Sequence, residues 1–195
     1  MERRTLLKAL ALAFGARQAA LAASFFAAGR VLAAPPKTMK DVDALQKNWK
    51  SSLPAGAVVP SPAEPVKLSK EEWRKKLPGQ SYNVLREEST ERAGTSPLNE
   101  EKRAGVFACA GCDLPLFTSD MKFDSGTGWP SFFTTIPGVF DTKKDHYLIY
   151  ARTEYHCKRC GGHHGHLFDD GPPPTGLRYC NNGVALKFVP KDAKA

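Results

Sequence analysis

A mainly β domain is the fold class the sequence predicts, with antiparallel strands in two sheets or a partial barrel behind short N-terminal helices. Three observations carry it. Eight short apolar runs between Gly105 and Val189 are punctuated by Gly, Pro and Asp. No long helical pattern alternates with them, which argues against a parallel βαβ sheet. The one internal repeat is a pair of C-x-x-C knuckles, Cys109-Ala110-Gly111-Cys112 and Cys157-Lys158-Arg159-Cys160, able to staple two distant hairpins around one ion.

Taken in order, residues 1–33 read as an export signal. Glu2-Arg3-Arg4-Thr5-Leu6-Leu7-Lys8 resembles the twin-arginine consensus, and an Ala/Leu-rich stretch follows. Arg17 and Arg30 interrupt that stretch, so no run reaches the ~18 apolar residues of a membrane span. Val31-Leu32-Ala33 offers small-residue cleavage chemistry, with the cut after Ala33. An uncleaved anchor or a cytosolic amphipathic helix is the alternative. The twin-arginine route carries folded cargo, so the resemblance implies a periplasmic or otherwise exported domain, loaded with any metal beforehand and not inserted in a membrane after cleavage.

Residues 34–66 contain six prolines and read as an extended, poorly packed tether, with a short helix possible from Asp41 to Trp49. The folded domain then runs over residues 67–195. Ser69 and Glu72 form a capping box for a helix from Lys70 to Leu77, stopped by Pro78-Gly79. Ser81–Glu88 is a second short helix and Thr90–Gly105 a polar loop. The expected strands are Gly105–Cys109, Leu116–Ser119, Ser131–Thr135, Val139–Asp141, Tyr147–Tyr155, Gly165–Asp169, Leu177–Asn181 and Val184–Val189.

Composition excludes one class of partner. The formal charge is +8, but residues 1–33 hold five basic groups and one acidic; without them 23 basic and 19 acidic residues remain, or +4. No Lys/Arg run is long enough to track a phosphate backbone, so nucleic acid is not expected as a partner.

Four of the five cysteines fall in the knuckles, which 44 residues separate. Two such pairs complete a tetrahedral S4 shell, the signature of structural zinc. Disulfides are the alternative in an exported protein. A thioredoxin-type redox pair is a third reading, but it lacks its βαβ context.

The fifth, Cys180, ends the segment Gly161–Gly183, GGHHGHLFDDGPPPTGLRYCNNG. In an extended chain Arg178, Cys180 and Asn182 share one face, and Tyr179 and Asn181 the other. A fixed guanidinium beside a thiol favours the nucleophilic thiolate. The histidines and aspartates upstream can move protons. Cys180 therefore reads either as a reactive thiol or as a small buried hydrophobe.

The residues also carry a family resemblance. Tyr82-Asn83-Val84-Leu85-Arg86, the knuckles, and Lys122-Phe123-Asp124-Ser125-Gly126-Thr127-Gly128-Trp129-Pro130-Ser131-Phe132 belong to it. So do His163-His164-Gly165-His166-Leu167-Phe168, Asp170-Gly171-Pro172 and Pro174 through Asn182. From about Leu68 to Val189 the chain resembles the type B methionine-R-sulfoxide reductases. The resemblance implies a monomeric, zinc-bearing β enzyme that repairs oxidised methionine in proteins or peptides under oxidative stress. It implies that Cys180 attacks the sulfoxide sulfur and Arg178 helps hold the thiolate. His163 and His166, with Asp170 behind them or through water, position and protonate the oxygen. Trp129 walls the S-methyl group, Asn182 steadies the cysteine strand, and Cys109, Cys112, Cys157 and Cys160 hold Zn2+. His164 stands where the family often has leucine and receives no role. Many relatives place a recycling cysteine where this chain has Thr127, which implies reduction by an external thioredoxin-like or small-thiol donor.

Overall fold

Helices form where the sequence caps them. In the computed structural model, which describes residues 35–145 and 152–193, α1 spans Met39–Asn48, α2 Lys70–Lys76 and α3 Gly79–Glu87. The predicted capping box is present at α2: Ser69 Oγ accepts from Glu72 N at 3.3 Å and Glu72 Oε2 accepts from Ser69 N at 2.7 Å. Helix α3 starts two residues before the expected Ser81, because Pro78 presets its φ at −54° as the cap and its carbonyl accepts from Tyr82 N. Trp73 and Leu77, then Tyr82, Val84 and Leu85, turn inward.

The stretch 34–66 is less of a free tether than its prolines suggest. Thr38 and Asp41 build a second capping box for α1. Val42 is buried, Trp49 packs against the core, and Gln46 Nε2 donates to Thr134 Oγ1 at 2.9 Å. Val66 N donates to Arg159 O at 2.8 Å, which ties the end of the stretch to the second knuckle. The proposed export segment, residues 1–33, lies outside the described residues. No described helix is long and apolar enough to cross a membrane.

The strands are β1 (Gly105–Cys109), β2 (Pro115–Thr118), β3 (Lys122–Phe123), β4 (Ser131–Phe132), β5 (Phe140–Asp145), β6 (Arg152–Cys157), β7 (His163–Phe168), β8 (Arg178–Asn181) and β9 (Leu186–Pro190). They pair antiparallel in two sheets, ordered β2-β1-β9 and β3-β4-β8-β7-β6-β5. The fold is thus mainly β, as the punctuated apolar runs predict. Short β3 was not foreseen. The expected Tyr147–Tyr155 strand appears as Arg152–Cys157, with residues 146–151 outside the described residues, and Val184 falls in a 3₁₀ turn before β9.

The core is aromatic. Phe117 and Phe132 stack with centroids 3.9 Å apart, and Phe107 meets Phe132 edge-on at 5.1 Å. All three are fully buried, each worth roughly 1.5–3 kcal/mol of transfer free energy. Strand β8 lies in the interior of the larger sheet, between β4 and β7. Gly165 makes its approach to β7 possible: a Cβ there would sit 2.0 Å from Cys180 O.

Candidate active site and metal cluster

The two knuckles fold alike. Each ends in a left-handed residue, Asp113 (φ 66°) after Cys112 and Gly161 (φ 68°) after Cys160. Each closes with the same bonds: Asp113 N and Gly161 N donate to Cys109 O and Cys157 O, and Cys109 N and Cys157 N donate to Leu114 O and Gly162 O. Arg159 Nη1 donates to Cys112 O at 2.6 Å and links one knuckle to the other. The four sulfurs converge. Cys109 and Cys160 stand 3.6 Å apart, Cys112 and Cys157 3.5 Å, and all four lie within 4.8 Å of one another. A disulfide needs about 2.05 Å. Sulfurs 2.3 Å from a tetrahedral zinc stand roughly 3.8 Å apart. The spacing fits one structural metal ion, consistent with zinc, and no cysteine among the described residues is in a disulfide.

Cys180 is the cysteine left over. It is half-buried in a cleft of about 180 Å³ whose walls include Trp129, Arg152, His166, Phe168 and Asn182. A larger hollow of about 440 Å³ beside α1 has no cysteine or histidine in its lining. The strand alternates as its sequence implies. Tyr179 packs against the core, and Asn181 Oδ1 accepts from Tyr155 Oη at 3.0 Å. Arg178 and Cys180 face the other way.

Arg178 is placed by two residues. Asp170 accepts from its Nε at 2.7 Å and from its Nη2 at 2.9 Å, and its guanidinium lies 4.3 Å over the Phe168 ring. Asp170 therefore does not stand behind the histidines, as expected from sequence; it orients the arginine, because a bidentate fork outcompetes a single imidazole bond. The hydrogen bonds from Arg178 hold the Asp170 carboxyl below its ordinary range. Burial pushes the Cys180 thiol above its ordinary range, while the charge of Arg178 and hydrogen bonds from Thr127 and Arg178 pull the other way. Burial outweighs them, and the Cys180 thiol stays above its ordinary range. The guanidinium acts in the expected direction without ionising the sulfur alone.

His166 pairs directly opposite Cys180 in the β7–β8 register. His163 stands behind it, ring centroids 5.5 Å apart, and is buried. Its Nδ1 hydrogen-bonds Glu154 Oε1, which assigns the proton to Nδ1 and leaves Nε2 as an acceptor. Burial depresses its pKa to about 4 despite Glu154, so the ring is neutral at pH 7. Glu154, not Asp170, is the carboxylate behind the histidines. Burial would push Glu154 up, but His156, His163 and Lys143 hold it below its ordinary range. Glu154, His156 and His163 also converge as ligands could. Lys143 Nζ lies 3.2 Å from Glu154 Oε2, however, so a cation is already in place there.

Asn182 steadies the end of the cysteine strand, as expected: its Nδ2 donates to His164 O at 3.0 Å and its Oδ1 accepts from Glu91 N at 2.9 Å. Glu91 was not foreseen. Its buried carboxylate accepts from Gly183 N at 2.6 Å and Val184 N at 3.0 Å, and its carbonyl accepts from Trp129 Nε1 at 3.1 Å. Trp129 is thereby held at the cleft wall by its indole N–H. His164 is fully buried beside Phe140 and Tyr155, its pKa depressed by burial to about 3, and faces the core.

Fold and site together define a class: an antiparallel β domain with a four-cysteine cluster that could hold a metal ion and one further cysteine, set in a cleft beside an arginine and a histidine. The chain belongs to the SelR domain family, whose model matches residues 77–190. It is 49% identical over 126 residues to the peptide methionine sulfoxide reductase MsrB of Agrobacterium fabrum, covering 64% of this chain and 93% of that one. It is 53% identical over 125 residues to the MsrB of Pseudomonas putida, covering 63% and 92%. It is 42% identical over 160 residues to the chloroplastic peptide methionine sulfoxide reductase B1 of Arabidopsis thaliana, covering 82% and 79%.

Proposed function

We propose that this chain is an oxidoreductase that reduces methionine-R-sulfoxide in peptides or proteins to methionine, with Cys180 as the attacking sulfur. The observation that carries the reading is the placement of the one non-cluster cysteine opposite His166 and beside Arg178, in a cleft walled by Trp129. Cys180 attacks the sulfoxide sulfur as it gives up its proton. The oxygen, protonated through His166, is a better leaving group than oxide. It ends on Cys180 as a sulfenic acid, and the substrate sulfur regains its electron pair as the thioether. Atoms balance: thiol plus sulfoxide gives sulfenic acid plus thioether. Neutral His163 cannot be the proton donor at pH 7; held by Glu154, it positions His166. Trp129 offers the S-methyl group a flat apolar wall.

The four cluster cysteines hold zinc, which supplies scaffold stability and no redox step. With those thiols occupied, regeneration falls to an external thiol. One donor thiol condenses with the sulfenic acid, releasing water, and a second displaces Cys180 from the mixed disulfide. The segment 1–33 directs export by the twin-arginine route.

The test is an epimer-resolved assay with dithiothreitol and a peptide carrying R or S methionine sulfoxide. R is consumed, S persists, and Cys180→Ser abolishes turnover with the fold intact. Consumption of S alone, or of neither, refutes the reading. Mass spectrometry after one turnover without reductant finds Cys180 as sulfenate; an internal disulfide to Cys180 refutes external regeneration.

A further inference from the structure

Two arginines close on the cysteine cluster, and the chemistry above has used neither charge. Arg159 stands inside the second knuckle, and its Nη1 donates to Cys112 O at 2.6 Å. Arg86, in the last turn of α3, donates from Nη1 to Cys160 O at 2.9 Å. The two bonds are alike: each reaches the carbonyl of the second cysteine of a knuckle. Arg86 is braced by Trp73, whose ring lies 4.8 Å from its guanidinium. The same ring lies against the first knuckle. A Cβ on Gly111 would meet Trp73 Cζ3 and the sulfurs of Cys109 and Cys160, each at 3.6 Å. A Cβ on Gly162 would meet Arg86 Nη2 at 3.3 Å and the Cys160 sulfur at 3.4 Å, so guanidinium and sulfur flank one small space.

Both guanidiniums are half-buried, and their hydrogen bonds go to carbonyls: Leu85 O and Cys160 O for Arg86, Cys112 O for Arg159. Among the described residues no carboxylate forms an ion pair with either. Arg159 Nε is buried with no hydrogen-bond partner. A cation taken out of water without a counter-ion is costly. The cluster supplies the missing charge. A divalent ion held by four thiolates carries two net negative charges, and the two guanidiniums match them. Other charges nearby cancel or face water: Asp113 pairs with Lys187, and Lys158 is exposed.

We propose that Arg86 and Arg159 are the counter-ions of the metal–thiolate cluster, and that their fixed charges slow the loss of its ion. The inference goes beyond the sulfoxide chemistry and does not involve Cys180. It rests on the reading that the four cluster cysteines hold zinc. The sign follows from the two states compared. Free thiols are mostly neutral at pH 7, and zinc displaces their protons to water as it binds. The metal-bound cluster is therefore the anionic state, and two neighbouring cations favour it over the metal-free one. Arginine suits the task because it keeps its charge at any pH the fold survives and presents its donors in a rigid plane. Lysine would supply the charge without that plane, and glutamine a donor without the charge. Arg159 closes one knuckle on the other, while Arg86 brings the end of α3 onto both through Trp73 and Cys160.

The experiment measures zinc release at pH 7 from the zinc-loaded full chain into an excess of the chromogenic chelator pyridylazo-resorcinol, followed by absorbance. Arg159→Gln keeps a donor for Cys112 O and removes the charge; Arg159→Lys keeps the charge. The same pair is made at Arg86. Groups behind metal ligands are typically worth about 10–100-fold in metal affinity, so each glutamine variant is expected to release zinc about tenfold faster or more. Each lysine variant recovers most of the retention, and the double glutamine variant loses zinc faster than either single one. Circular dichroism of the zinc-loaded variants checks that they are folded. Should Arg159→Gln fail to fold, the Arg86 pair, on a helix outside the knuckles, carries the comparison alone. Glutamine variants that fold and release zinc at the wild-type rate overturn the proposal. So do lysine variants that release as fast as glutamine, because the charge is then not what holds the ion. In either case a wild type carrying one zinc leaves the cluster and the sulfoxide chemistry standing, and only the arginines are misassigned. A wild type that binds no zinc removes the cluster reading and this inference together.

Discussion

Glu91 carries a sharp prediction because both of its carboxylate oxygens are committed. Oε1 accepts from Gly183 N at 2.6 Å and Oε2 from Val184 N at 3.0 Å, and the residue is 3% exposed. Glu91→Gln is close in shape and not conservative here. One amide oxygen can still accept, but the NH2 group must face the other backbone donor. The loss is one charge-assisted bond, about 1.5–3 kcal/mol, plus one buried N–H left without an acceptor, about 1–3 kcal/mol. These overlap, so about 3 kcal/mol is the expected destabilisation, against the 5–15 kcal/mol typical of a whole domain. Glu91→Ala leaves both donors unmet and is expected to cost about 4 kcal/mol or more. The assay is urea unfolding at pH 7, read as the midpoint shift at constant slope. Because the Glu91 backbone also donates to Asn182 and accepts from Trp129, kcat/KM falls in the same variants before the global unfolding transition. A Glu91→Gln midpoint within about 0.5 kcal/mol of wild type, the usual scatter of surface substitutions, refutes the reasoning.

Two further predictions follow from other groups. Stripping the metal with a chelator is expected to unfold the domain, because structural zinc supplies on the order of 10–16 kcal/mol, comparable with the whole stability; elemental analysis gives one zinc per chain, and unchanged circular dichroism after complete removal would count against the staple. His164 and His163, with pKa depressed to about 3 and about 4 by burial, bind fewer protons folded than unfolded below about pH 6.5, so stability is present above that pH and is lost as pH falls toward those values. Each contributes a slope of about 1.4 kcal/mol per pH unit, so His164→Leu is expected to lose about 2 kcal/mol less than wild type between pH 6.5 and 5; parallel urea curves for the two proteins would sink that account.

Much of this site was readable because its elements are local. A capping box at Ser69 and Glu72, a C-x-x-C turn, and alternation along Arg178, Tyr179 and Cys180 depend on neighbours within four residues. The structure places all of them as spacing demands. What was not readable is long-range. Glu91 looks like a loop residue until Gly183 and Val184 arrive from 92 and 93 positions away. Glu154 sits in an ordinary alternating strand, and only the β6–β7 pairing brings it to His163. Asp170 was paired with the wrong partner for the same reason: sequence offered histidines and an arginine at similar range, and bidentate geometry decided between them. Thr127 was noticed for the thiol it lacks; its hydroxyl bonds Ser125 Oγ at 2.9 Å.

The metal cluster and the cleft are one device rather than two, because β7 leaves the second knuckle. Cys160 is three residues before His163, and the hairpin from β6 to β7 turns through Cys157–Cys160. The register of that hairpin slips between Tyr155 and His156, so Glu154 meets His166 while His156 meets His163. A one-residue change of register would send every β7 side chain to the opposite face, burying His166 and exposing His164. The knuckle bonds fix that register at its origin: Gly161 N to Cys157 O, Cys157 N to Gly162 O, and Arg159 to Cys112 O. On the other side, Gly165 lets β8 close against β7 so that Cys180 falls opposite His166 and nowhere else along the strand. The knuckle that carries Cys157 and Cys160 thus helps set which histidine Cys180 faces.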